Sequence, residues 1–318
     1  MTSTKRQVCL VVASSVFFTA HASRPAAAEF QSTAGVAVGG FLSDNICLAP
    51  ANEEVDYVGT VTPNVRVTGE GARANLALNA RVEFNTVDSL DVECPSGGQG
   101  GQFLNRRSVI PSGSFLGNLD LVENWLTLNA DAFAGQNPIN PFRPGGEDGI
   151  NGIGNTNITY RWGTGATLQR RIKDVAEAFL VYNYNEQYNA AGVFADSSEH
   201  RVNGRLGMLP DVRRVSVFAS GSYSEVSFDE SPQSAAFTNE LTSAQLNATL
   251  QVTRSLQLNG YIGEEWNVFT SANDEVDGEF WDVGLRWAPN ERVSFAVGTG
   301  ERFFGSTPRF SLQYRHKR

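Results

Sequence analysis

Few side chains in this sequence are equipped for covalent or metal chemistry. Past position 28 there are two histidines, His200 and His316, and two cysteines, Cys47 and Cys94. His200 follows Ser198 and Glu199, but a nucleophilic site needs its base within hydrogen-bond reach of a nucleophile, and no nucleophile motif accompanies it. It reads as a surface residue at a strand edge, and no catalytic residue is assigned. Asp274, Glu275, Asp277 and Glu279 form an acidic cluster in a loop. Alternating carboxylates can bind calcium, but this is not EF-hand spacing, and a solvated loop is the plainer reading. Two distant cysteines and two scattered histidines lack metal-ligand spacing, so neither metal nor cofactor is expected. Glu264, Glu265 and Asp282, with Arg286 and Arg302, fall where charges would line the inside of a barrel and tune what passes.

The amino terminus sets the compartment. Lys5 and Arg6 precede an apolar run from Val8 to Ala20, and small residues end in Ala26-Ala27-Ala28. A charged start, a short apolar stretch and a small-residue cleavage site make residues 1–28 a secretory signal peptide, leaving 29–318 as one domain. Removing Lys5, Arg6 and Arg24 takes the formal charge from −9 to about −12. Nucleic-acid binders need a basic patch, so that class is set aside. No run of 18 apolar residues follows the signal, which excludes a transmembrane helix.

Strands must position whatever chemistry remains. From Gly278 to Pro289, Trp281, Val283, Leu285 and Trp287 share one face, with Phe280, Asp282, Gly284 and Arg286 on the other. A period of two over such a length marks strands with one apolar and one polar or small face. The same alternation runs through 32–42, 57–68, 73–84, 118–134 and 155–170, and again through 199–209, 213–229, 239–253, 255–270, 291–303 and 308–314. Residues 173–188 are ambiguous. Ile172, Val175, Ala176 and Phe179 could share a helix face, but the β-branched and aromatic run Phe179–Tyr184 favours a strand.

About thirteen antiparallel strands result, joined by short turns at one end and longer loops at the other. Residues 86–118 and 136–154 are the longest loops. Strands this long exceed the usual five or six residues, and short turns opposite long loops are the mark of an outer-membrane barrel. The expected fold is therefore all-β, an antiparallel transmembrane barrel of roughly 12–14 strands. A soluble β-helix or large sandwich is the alternative. The odd count and the charged end at His316-Lys317-Arg318 further predict that this chain does not close by itself.

The sequence also resembles the outer-membrane β-barrel family of the PEP-CTERM/exosortase system. The resemblance is carried by VTPNVRVTGEGARANLALNARVEF at 61–84, NWLTLNADAF at 124–133 and GEFWDVGLRWAPNERVSFAVGTGERFFG at 278–305. Family glycines, tryptophans and a proline fall on Gly278, Trp281, Gly284, Trp287 and Pro289. The resemblance implies a non-enzymatic protein of the Gram-negative outer membrane, serving export or anchoring of exopolysaccharide or sorted surface proteins. Its partners would be outer-membrane lipid and those cargoes. A porin-like diffusion pore and an outer-membrane lipase or protease are the alternatives.

Cys47 and Cys94 both lie in polar loops of an exported chain, and a disulfide between them is expected. Thiol labelling with and without reductant checks it: neither cysteine should label until reductant is added.

Overall fold

The computed structural model describes residues 14–20, 28–43, 56–87, 107–142, 155–173, 175–208, 214–270 and 277–316. Cys47, Cys94, Asp274, Glu275 and the turn expected at Pro210-Asp211 lie outside these residues. The first half of the sheet comprises β1 (Ser14–Ala20), β2 (Ala28–Ser43), β3 (Asp56–Gly71), β4 (Ala74–Val87), β5 (Arg107–Val122), β6 (Leu126–Pro138), β7 (Thr156–Ile172) and β8 (Ala176–Asn189). The second half comprises β9 (Ser197–Met208), β10 (Val215–Phe228), β11 (Phe237–Gln251), β12 (Leu256–Val268), β13 (Gly278–Asn290), β14 (Val293–Arg302), β15 (Gly305–Ser306) and β16 (Arg309–Tyr314).

All sixteen belong to one antiparallel sheet, and up to β15 each strand pairs with the next in sequence. β15 and β16 share the last position: β15 pairs with the Glu301-Arg302 end of β14, and β16 with Val293–Gly298. Among the described residues no ladder joins β1 or β2 to β14, β15 or β16. The sheet is open, which overturns the expected transmembrane barrel. The alternation used to infer a barrel fixes which face a side chain takes, and it is the same in open and closed sheets.

Two differences from the expected strands have local causes. The single strand expected over 118–134 is a hairpin, because Asn124 takes a left-handed conformation (φ 58°) and turns the chain between β5 and β6. Much of the expected loop 86–118 is then β5, whose Pro111, Gly113 and Gly117 hid its alternation. Lys173 (φ 51°) ends β7 in the same way and breaks the helix that could be drawn through Ile172 and Ala176; β8 is a strand. At the β13–β14 turn, Asn290 Oδ1 accepts the backbone N–H groups of Arg292 (2.9 Å) and Val293 (3.1 Å), the turn chemistry expected there.

Burial is inverted. Among the described residues only Val58 and Phe280 are buried apolar side chains, whereas Asn85, Asn157, Asn189 and Asp282 are buried polar ones. Register explains the inversion. The row Leu250–Leu258–Leu285–Val297–Phe310 crosses β11 to β16 on one face, and the row Asn259–Gly284–Gly298–Arg309 crosses β12 to β16 on the other. The second face is hollow. Gln169 on β7 and Arg302 on β14 line the same cavity of about 550 Å³. Laid flat at roughly 4.8 Å per strand, β7 and β14 would stand roughly 34 Å apart, so the sheet is strongly curled with its polar face inside.

The curl is fastened near β16 by a buried ion pair. Arg309 reaches across β14 to Asp282 on β13, and its guanidinium gives two hydrogen bonds to that carboxylate. Gly284 and Gly298 form its bed: a Cβ at either would lie 2.7–2.8 Å from the guanidinium. Arg309→Ala would leave Asp282, only 3 % exposed, without a counter-charge. It should lower stability by about 2–3 kcal/mol, below the range for a fully buried pair because Arg309 is half exposed. Gly298→Val should do much the same and Asp282→Asn clearly less. Urea unfolding of the three variants checks the order, and equal midpoints would contradict it.

Candidate functional site

The concave face carries the chemistry. Two cavities indent it: the one spanning β7 to β14, and a second of about 980 Å³ between β2 and β6. Asn64, Arg81, Glu83 and Phe133 are among the residues lining the second.

Arginine stacked on phenylalanine recurs three times on this face. The guanidinium carbon of Arg161 lies 5.7 Å from the Phe133 ring, that of Arg205 lies 4.0 Å from Phe218, and that of Arg302 lies 5.1 Å from Phe280. A glycine makes room beside each phenylalanine. A Cβ at Gly135 would meet Phe133 at 2.7 Å, one at Gly207 would meet Phe218 at 2.1 Å, and one at Gly263 would meet Phe280 at 2.5 Å. A guanidinium flat on an aromatic face keeps its donors in a fixed plane and loses little entropy on binding. Arg302 also forms an ion pair with Glu265, and Arg201 pairs with Glu199, which accepts Asn185 Nδ2 at 3.2 Å. Arg161 and Arg205 have no carboxylate within ion-pair distance among the described residues.

At the loop end, buried asparagines pin the connections. Asn157 Nδ2 donates to Asn189 Oδ1 at 2.9 Å, and Asn157 Oδ1 accepts the Ala191 N–H at 3.0 Å. Asn189 donates its backbone N–H to Asp196 Oδ1 (2.7 Å) and its side-chain amide to the Ala195 carbonyl (2.8 Å). Asn155 exchanges two bonds with Asn140. These residues looked like loop filler in the sequence, since their partners lie 6–34 positions away.

The other expected site residues separate by face. Glu265, Asp282, Arg286 and Arg302 share the concave face, but Glu264 faces outward opposite Glu279 and Ala244. His200 also faces outward. Its Nδ1 lies 3.0 Å from the Tyr182 hydroxyl, its ring 4.8 Å from that of Tyr184, and its cross-strand partner on β10 is Glu225. Asp277, immediately before β13, accepts the backbone N–H of Asn267. No group of three or more potential metal ligands occurs among the described residues.

The convex face is uncharged over a broad belt. Its positions from Phe30 to Leu42 on β2, on β3 and β4, from Val109 to Leu121 on β5 and from Leu126 to Pro138 on β6 carry no charged side chain. On later strands the outward carboxylates Glu186, Glu225, Glu240, Glu264, Glu279 and Glu301 all lie toward the loop end. Arg170, near the turn end, stacks 4.4 Å from Trp125. All five tryptophans are 41–44 % exposed, with Trp162, Trp266 and Trp281 toward the loop end and Trp125 and Trp287 toward the turns.

No family model matches the chain, and no curated protein matches it. The resemblance to the PEP-CTERM-associated barrels therefore has no support, because glycine–tryptophan spacing on a period-two strand arises wherever a sheet has one apolar face. The export or anchoring role implied by that family falls with it. Closure is what would let such a sheet cross lipid as an outer-membrane barrel, since it leaves no edge unpaired. The open path of this sheet leaves that localisation and the porin-like reading without their basis. No helix among the described residues is long and apolar enough to cross a membrane.

At the loop-end rim the Tyr223 hydroxyl donates to Glu225 Oε2 at 2.5 Å. That hydrogen bond to a carboxylate, with desolvation and the negative charge itself, pushes the phenol up to about 12. The raised value means the bond's contribution is complete below pH 10 and disappears as pH rises through about 12. Tyr184 is raised in the same way by its hydrogen bond to Glu186, so absorbance titration of tyrosinate should show a late phase from which Tyr223→Phe removes one phenol that Glu225→Gln shifts to lower pH.

Proposed function

We propose that this protein is a non-catalytic scaffold that works against an amphiphile, its convex face lying on acyl chains. The uncharged convex belt carries the reading. A sheet with two buried apolar side chains among the described residues, and a continuous exposed apolar face, offers no internal core there to cover that face. Water is a poor partner for it, and so is a polar macromolecule. The tryptophans at both margins suit a boundary where one end of the ring is apolar and the other wet. Carboxylates confined to the loop end keep charge out of the belt. This requires contact with acyl chains and nothing about how deeply the sheet sits among them.

Absence of catalysis is part of the same proposal, supported by the position of His200 among tyrosines on the outward face. Export through a cleaved signal peptide at 1–28 belongs to it as well; cleavage would remove β1 and leave β2 as the first strand of the sheet. The formal charge of −9 gives no reason to add a nucleic-acid partner.

Flotation with phosphatidylcholine vesicles tests the reading. The chain should rise with the vesicles, and Leu246→Glu or Ile262→Glu, neighbours in the middle of the belt, should reduce the floated fraction severalfold. Ser222→Glu, on the concave face, should not. Recovery of the wild type as a monodisperse species without detergent or lipid would overturn it.

A further inference from the structure

We infer that the cavity between β7 and β14 is a binding site for a polyhydroxylated carboxylate, with Arg205 as its anchor. Register makes the case. Gln169, Phe179, Arg205, Ser220, Gln245, Gly263 and Phe280 are successive partners across β7 to β13, and all but Gly263 line the cavity in one row. A row perpendicular to the strands is a track along which one ligand meets every strand in turn.

The chemistry along the track is sorted. Arg205, with no ion-pair partner among the described residues, stands near its middle, its guanidinium carbon 4.0 Å from the centre of the Phe218 ring. A guanidinium held in plane and free of a protein carboxylate is suited to a bidentate pair with a ligand carboxylate. Ser220 and Gln245 follow on one side and Gln169 on the other, offering donors and acceptors that hydroxyl groups can match in both roles. Phe179 and Phe280 place apolar ring faces at two points of the same row, where the C–H face of a sugar-like ring can rest. The remaining charges argue against a ligand that is anionic throughout. Glu177 is held by Gln169 Nε2 at 2.6 Å and Glu265 by Arg302, so carboxylates lie toward both ends of the track. One anionic group at the centre, with neutral hydroxyls on either side, is the pattern that fits. The cavity, about 550 Å³, lies within the usual range for small-molecule sites.

The inference is independent of what covers the convex face, and its test is read with the protein in detergent. Titration with D-glucuronate, followed by calorimetry, should give saturable binding, while D-glucose and acetate bind about tenfold more weakly or worse. Arg205→Gln should weaken glucuronate about tenfold or more, and Arg205→Lys should recover only part, because an ammonium lacks the planar fork. Arg66→Ala, on the same face of β3, should change nothing. Phenylglyoxal labelling of the wild type gives a second measurement that needs no variant: glucuronate should protect Arg205 and leave Arg66 as reactive as before. Equal binding of glucose, unchanged affinity in Arg205→Gln, or labelling of Arg205 unaffected by glucuronate would overturn the assignment.

Discussion

Everything in this structure depends on the strict alternation of side chains along an antiparallel ladder whose register shifts beside the turns, at Asp120–Val122 and Trp287–Asn290. Because neighbours in sequence take opposite faces and partners across strands take the same one, the face chosen at Val36 is passed on through Pro63, Val82 and Pro111 and onward across the sheet. A one-residue slip anywhere would reverse every face beyond it. The chain guards against that with Asn124, Lys173 and Asn290, which fix where strands end. The result is a curled sheet with polar and glycine residues inside and apolar ones outside.

That inversion gives the two faces different energetics. Outside, the apolar side chains gain their favourable burial only from something other than this chain. Inside, the hollow is held by polar contacts whose worth depends on completeness. Asp282 is satisfied by Arg309, and Glu265 by Arg302, but Asn85 Oδ1 and Arg302 Nε have no hydrogen-bond partner in the structure. Glycine is the enabling residue here: at 207, 263, 284 and 298 the missing Cβ is where a neighbouring aromatic or guanidinium lies.

Much of this was legible in the sequence. Period-two alternation located twelve of the thirteen expected strands as single strands close to their observed limits, and only 118–134 proved to be a hairpin. It also placed Trp281, Val283, Leu285 and Trp287 on one face. β5 was not legible, because proline, serine and glycine interrupt its apolar set. Closure was not legible either, since alternation along strands is silent about whether the first and last meet. The arginine–phenylalanine–glycine units were hidden for another reason. Their members sit on different strands, as with Gly207, Phe218 and Arg205, and only register brings them together. Glu264 and Glu265 were expected to act together, yet adjacent strand residues are separated by the sheet itself.

The meander has a consequence for how the molecule comes to be. Each strand finds its partner in the segment made just before it, so few contacts require distant parts of the chain to meet. Assembly can therefore advance hairpin by hairpin, and the search is short at every step. Every intermediate along that route, however, displays a bare strand edge beside an apolar surface, the combination most prone to join the wrong neighbour. Speed and vulnerability come from the same topology, and the chain needs company from its first hairpin onward.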